Sequence, residues 1–167
     1  MNGALLIVDG YNVLHALFPG ASKDELFARR DWLSERIASV IALRGGSAML
    51  VFDAHNAETT HCRPLKGVPL EVCFAGGRFT ADTLIARRIA EQPADVAVTV
   101  VSGDQEVQRT AARAGVSRMT PREFAAMLEQ PTKAVDSLAE ASRIPSRLED
   151  KVDVETLRKL EALRRNP

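Results

Sequence analysis

Four aspartates, Asp9, Asp53, Asp82 and Asp104, stand where an ordered fold can bring them together. Asp9 closes the apolar run ALLIV (residues 4–8) and Asp53 closes SAMLVF (47–52). Asp104 trails VAVTVV (96–101), and Asp82 lies in the first turn of a segment with helical periodicity. In an open parallel sheet the carboxyl ends of the strands share one edge, and ligands bind there. Adjacent strands lie ~4.8 Å apart, so carboxylates on those ends can converge within reach of one cation. Two unit charges ~4 Å apart repel by ~4 kcal/mol at an effective dielectric of about 20, so four in one pocket call for compensation. Mg²⁺ or Mn²⁺, one ion or two, supplies it through oxygen ligands. Taken singly, each aspartate also suits a helix cap or a turn. Four on one edge point instead to a metal-dependent phosphodiesterase, which aligns water by carboxylate-bound ions.

The elements that must position these groups follow from the pattern. ALLIV, SAMLVF, LEVCF (70–74) and VAVTVV read as strands, the first and second as continuous buried runs typical of a parallel sheet. VSRM (116–119) adds a short fifth strand. Ser22 to Glu25 is a capping box that opens one long helix carrying Leu26, Leu33, Ile37, Val40 and Ile41, stopped at Gly45-Gly46. Phe27, Trp32 and Leu33 on that helix read as core. Thr80 caps a helix ending near Gln92, a further helix runs from about Asp104 to Ala114, and Thr120-Pro121-Arg122-Glu123 opens another. The polar stretch containing His55, His61, Arg63 and Lys66 reads as a mobile loop. Strands alternating with helices imply an α/β fold with a mostly parallel central sheet. Residues 1–130 form that domain, and 131–167 read as a short helical C-terminal extension, too short for its own core.

Composition removes several classes. The 167 residues carry 22 basic and 22 acidic side chains, so no overall positive field serves sequence-independent coating of DNA. Cys62 and Cys73 are too few for a disulfide framework or a closed zinc site, and read as reduced thiols. No signal peptide and no run of ~20 apolar residues is present, so a cytoplasmic protein without a membrane partner is expected. A haloacid-dehalogenase-type phosphatase needs an aspartate two residues after the first, where this chain has Tyr11. A receiver domain needs an acidic pair at the first strand and a lysine after the fifth, and Asp-Gly-Tyr-Asn is no dinucleotide-binding turn.

In order and spacing, LLIVDGYNVLHA, LVFDAHN, LEVCF followed by FTADTLIARR, VSGDQEVQ and ARAGVSRMTPREF resemble the YacP-like branch of the NYN-domain ribonucleases, within the PIN-like nucleases. The resemblance covers residues 4–129, and LRKLEALRR resembles that branch's helical C-terminus. It implies a three-layer α/β/α domain with an acidic metal pocket and endoribonuclease activity. Asp9 and Asn12 match the aspartate and asparagine of DGYN, Asp53 the aspartate of FDAH, and Asp82 and Asp104 those of the TAD and TSD motifs. In that setting Asp9, Asp82 and Asp104 are catalytic. Asn12 steadies a metal water or the Asp9 carboxylate, and all five residues serve the metal. Two departures stand out: relatives carry acids where this chain has Phe79 and Ala86. A catalytically weakened domain that binds RNA or a ribosome is the alternative these departures support.

For substrate contact the candidates are His55, close behind Asp53; Arg63, Lys66 and Arg78, expected to border the same edge; and Tyr11, which suits either base stacking or packing beside the first strand. The implied partner is RNA, single-stranded mRNA in particular, in turnover linked to translation, with a monomeric chain expected.

Overall fold

The computed structural model describes residues 3–114 and 116–129, and the helices expected in 131–167 lie outside the described residues. Strands β1 (Leu5–Asp9), β2 (Ser47–Asp53), β3 (His61–Pro64), β4 (Leu70–Ala75), β5 (Val98–Val101) and β6 (Ser117–Met119) form one sheet in the order β3-β4-β2-β1-β5-β6. All neighbours are parallel except β3, which pairs antiparallel with β4. Register aligns Asp9 with Val51, and Asp53 with Ala75. The carboxyl ends of the three central strands therefore share one edge.

Alternation along the strands fills both faces. On β2, Ala48, Leu50 and Phe52 enter one core, while Met49 and Val51 enter the other. The first core is closed by α1 (Gly10–Leu17), α2 (Lys23–Ala28), α3 (Arg30–Arg44) and α6 (121–129), through residues such as Val13, Leu26, Ile37 and Phe124. The second is closed by α4 (Ala81–Ala90) and α5 (Gln105–Arg113), through Leu84, Ile85, Val107 and Ala111. Helices on both faces make the expected three-layer α/β/α arrangement. Among the described residues, no helix is long and apolar enough to cross a membrane.

One helix is added and three expectations are corrected. The segment after Asp9 is helical: α1 begins at Gly10 with Asp9 as its N-cap. The single long helix is two, broken at Arg29 (φ −91°, ψ 1°). No proline or glycine marks this break; it coincides with tertiary packing, in which Arg29 lies 3.9 Å over the Phe18 ring and Phe18 meets Trp32 edge to face. Phe27 is 57% exposed rather than in the core, because Leu26 takes the buried face of α2 and the next helical position points away from it.

The third correction concerns the polar stretch. Part of it is ordered as β3, whose register sets Cys62 opposite Cys73, and the two form a disulfide instead of standing as free thiols. Compartment usage does not reflect strand register, which here places the two sulfurs side by side across an antiparallel pair.

Candidate active site

Asp9 is the most enclosed of the four aspartates, 6% exposed at the end of β1. Its Oδ1 accepts the Asn12 backbone N–H at 3.4 Å, which starts α1. Its Oδ2 accepts the Asn12 amide Nδ2 at 3.0 Å and the Ser102 hydroxyl at 3.1 Å. Burial pushes the Asp9 carboxyl up to about 6; the bonds from Asn12 and Ser102 oppose the rise, and the charges of Asp82 and Asp53 add to it. No lysine or arginine forms an ion pair with any of the four aspartates among the described residues.

The other three hold different positions on the same edge. Asp53 ends β2, and its Oδ1 accepts the Ala81 backbone N–H at 2.8 Å, tying the start of α4 to the sheet. Thr80 caps the same helix through Thr83. That leaves Asp82, in the first turn of α4, without a hydrogen-bond donor among the described residues. Its carboxyl is also raised, by partial burial first and then by Asp104, Asp53 and Glu106. Asp104 caps α5, its Oδ1 accepting from Glu106 N at 2.7 Å and Val107 N at 3.4 Å. The four are an open cluster. Among the described residues the only acid, histidine or cysteine triad with ligand atoms within 4.8 Å is Cys62, Glu71 and Cys73, whose thiols are joined to each other.

Two residues hold the cluster across the β1–β5 boundary. Asn12 bonds Asp9 with its amide nitrogen and accepts Gly103 N–H at 2.9 Å with its amide oxygen. Ser102, fully buried, donates to Asp9 and accepts the Asp104 N–H at 3.1 Å. Its carbonyl in turn receives the Gln108 side-chain amide. Sequence reasoning missed Ser102 and Gln108 because a serine after a strand reads as a turn residue, and its partner Asp9 lies 93 positions away. Glu106, whose charge reaches Asp82, was missed because a first-turn acid reads as a complement to the helix dipole. Ser102→Ala is expected to raise the Asp9 carboxyl beyond about 6 and to cost about 1–2 kcal/mol, since a buried donor and acceptor lose their partner. An NMR titration of the carboxyl carbon and a urea midpoint read the two effects; an unchanged titration would show that Ser102 does not act on Asp9.

The substrate candidates divide by location. Arg78 is exposed in the connection from β4 to α4, on the edge that carries Asp53 and Asp82. His55 is exposed just beyond β2. Arg63 lies on β3, in an exposed 3.7 Å ion pair with Asp31. Lys66 sits in the β3–β4 turn, beside the start of β4 and therefore at the opposite edge from the aspartates, a correction that only the strand order reveals. Tyr11 is half-buried with its ring edge-on to Phe52 at 5.2 Å, so the packing alternative describes it. Phe79 is 40% exposed and Ala86 half-buried where acids were expected.

Comparison with known proteins agrees with this architecture. Among curated proteins no significant match exists. Two crystal structures of Rae1 (YacP) from Bacillus subtilis are similar in fold. A tryptophan-to-leucine variant superposes with a TM-score of 0.69 at 24% identity, over 89% of each chain. The second structure gives 0.68 at 23% identity, over 97% of this chain and 95% of the other. The profile of the YacP-like NYN domain matches residues 6–165, nearly the whole sequence, and the chain belongs to that family of PIN-like nuclease domains.

Proposed function

We propose that this protein is a divalent-metal-dependent endoribonuclease whose site lies at the carboxyl edge of the sheet. The observation that carries the reading is Asp82: an exposed acid with no donor, set among Asp9, Asp53 and Asp104, its proton affinity raised first by partial burial and then by its acidic neighbours, with no basic side chain paired to it. An all-carboxylate donor set suits Mg²⁺ or Mn²⁺. Asp9, Asp82 and Asp104 would hold one or two ions, with Asp53 contributing directly or through water. A bound ion supplies Lewis-acid chemistry, lowering the pKa of an attacking water and offsetting charge on the leaving oxygen.

The chain's own residues prepare that chemistry. Asn12 and Ser102 fix the Asp9 carboxylate in one orientation. Asp53 sets the position of α4 and hence of Asp82. Asp104 has one oxygen committed to the α5 cap and the other free for a ligand. Arg78 and His55 at the same edge, and Arg63 beside it, would contact phosphates of single-stranded RNA.

Mn²⁺ is expected to raise the melting temperature. At about 100 times its dissociation constant a ligand adds about 2.7 kcal/mol, which is roughly 5–10 °C for a chain of this size. The same ion should support cleavage of a labelled single-stranded RNA, and EDTA should stop it. A second reading rests on Phe79 and Ala86, which replace acids of the family: the same groove would bind RNA without cutting it. Stabilisation by Mn²⁺ with no cleavage selects that reading; if Mn²⁺ gives neither stabilisation nor cleavage, the metal-site assignment falls.

A further inference from the structure

Phe27 is an exposed aromatic, and single exposed apolar side chains are ordinary. Its surroundings are not. The Arg30 guanidinium stacks on the Phe27 ring at 3.4 Å, and its Nε is anchored to the Phe27 carbonyl at 3.3 Å. The same guanidinium lies 5.0 Å from the Phe74 ring and 5.8 Å from Phe52, while Arg63 approaches Phe74 from β3 at 6.0 Å. Phe52 and Phe74 are paired in register and stacked at 5.8 Å. Each immediately precedes the last residue of its strand, Asp53 and Ala75. A ladder of rings and guanidinium groups thus runs from the acidic edge outward to Phe27.

We infer that this ladder is a binding track for single-stranded RNA, with Phe27 as a base-stacking platform and Arg30 and Arg63 meeting the backbone beside the site. The inference rests on the proposed nuclease reading and adds where flanking nucleotides lie. A ring exposed on one face and backed by an anchored guanidinium is pre-organised, so stacking on it loses little side-chain entropy. Stacking tolerates any base, and a planar guanidinium serves ring and phosphate at once. The competing Asp31–Arg63 pair is long and exposed on both sides, so a phosphate displaces it at small cost. Unpaired bases are required, because bases inside a duplex cannot reach a protruding ring.

The test uses the full chain and a fluorescein-labelled single-stranded oligoribonucleotide of mixed sequence. Binding is read by anisotropy in EDTA, and cleavage separately in Mn²⁺. Phe27→Ala and Arg30→Lys are compared with the wild type; the second keeps the charge but loses the planar stack. Each is expected to weaken binding by roughly 5- to 150-fold, the range that stacking contributes per base. For both variants KM should rise with kcat little changed, and the melting temperature of Phe27→Ala should hold, because Phe27 lies outside the core. A duplex of the same sequence should be unaffected by Phe27→Ala. If the wild type binds and cleaves while both variants bind equally well, the track is wrong and the nuclease reading stands. If the wild type neither binds nor cleaves, the nuclease reading falls and takes the track with it.

Discussion

Asp9→Asn is expected to abolish RNA cleavage while making the metal-free protein more stable. The loss should exceed the roughly 10- to 100-fold cost of removing a partner that merely orients a ligand, because Asp9 is itself assigned to the metal. The stability effect follows from burial. The Asp9 carboxyl titrates near 6 in the folded protein, against an ordinary value of 3.8, so the folded state binds the proton more tightly than the unfolded state. The contribution of Asp9 to stability is therefore highest below about pH 4, falls as pH rises through about 6, and is flat above that. Two pKa units correspond to about 3 kcal/mol.

Asparagine removes the buried charge but brings a cost of its own. Its amide oxygen must take the Oδ2 position, which accepts from Asn12 and Ser102. Its NH₂ then faces the Asn12 N–H and loses a weak cap. A net gain of about 1–3 kcal/mol above pH 7, vanishing by pH 4, is expected. Denaturant midpoints at pH 4, 6 and 8 read it. Equal cleavage by the variant would sink the catalytic assignment, and a pH-independent stability difference would sink the account of the buried charge.

Gly10→Ala is the second large effect, and it acts through packing. A Cβ at Gly10 would lie 2.6 Å from Cδ1 and 2.8 Å from Cζ of Phe52. Phe52 is fully buried between Tyr11 and Phe74 and has no room to retreat. Overpacking of this kind costs about 1–3 kcal/mol or more. The adjustment most open to the chain is a shift of the start of α1, which carries Asp9 and Asn12 away from Ser102 and Gly103. Cleavage should fall more than stability alone explains. Adding Phe52→Leu should restore part of both losses, as coupled neighbours do in a double-mutant cycle. Full activity in Gly10→Ala alone would show that the close approach of α1 to β2 does not position the site.

Such contacts mark the boundary of what residues in order can reveal. The strands that end in Asp9 and Asp53 were legible because a continuous apolar run followed by aspartate is a local signal. The capping boxes at Ser22 and Thr120 are equally local, and both are formed in the structure. The edge on which the aspartates meet could be inferred because parallel strands put their carboxyl ends together. The break at Arg29, the exposure of Phe27, the ordered β3 and the Cys62–Cys73 bond were not legible. Each depends on which surface a segment meets, and propensity yields to tertiary packing there.

The placement of four aspartates at strand and helix ends was determined by the sequence alone, together with the α/β class and the family resemblance. Their positions come from hydrophobic runs and turn residues a few positions apart. Only the tertiary structure decided how they differ. Asp9 is buried and bonded by Ser102, Asp53 and Asp104 are half-committed to helix starts, and Asp82 is left without a donor. It also moved Lys66 to the far edge and brought Arg30 against Phe74. The reason is physical: burial and proximity between residues tens of positions apart arise from how the sheet is ordered and covered, which no local pattern encodes.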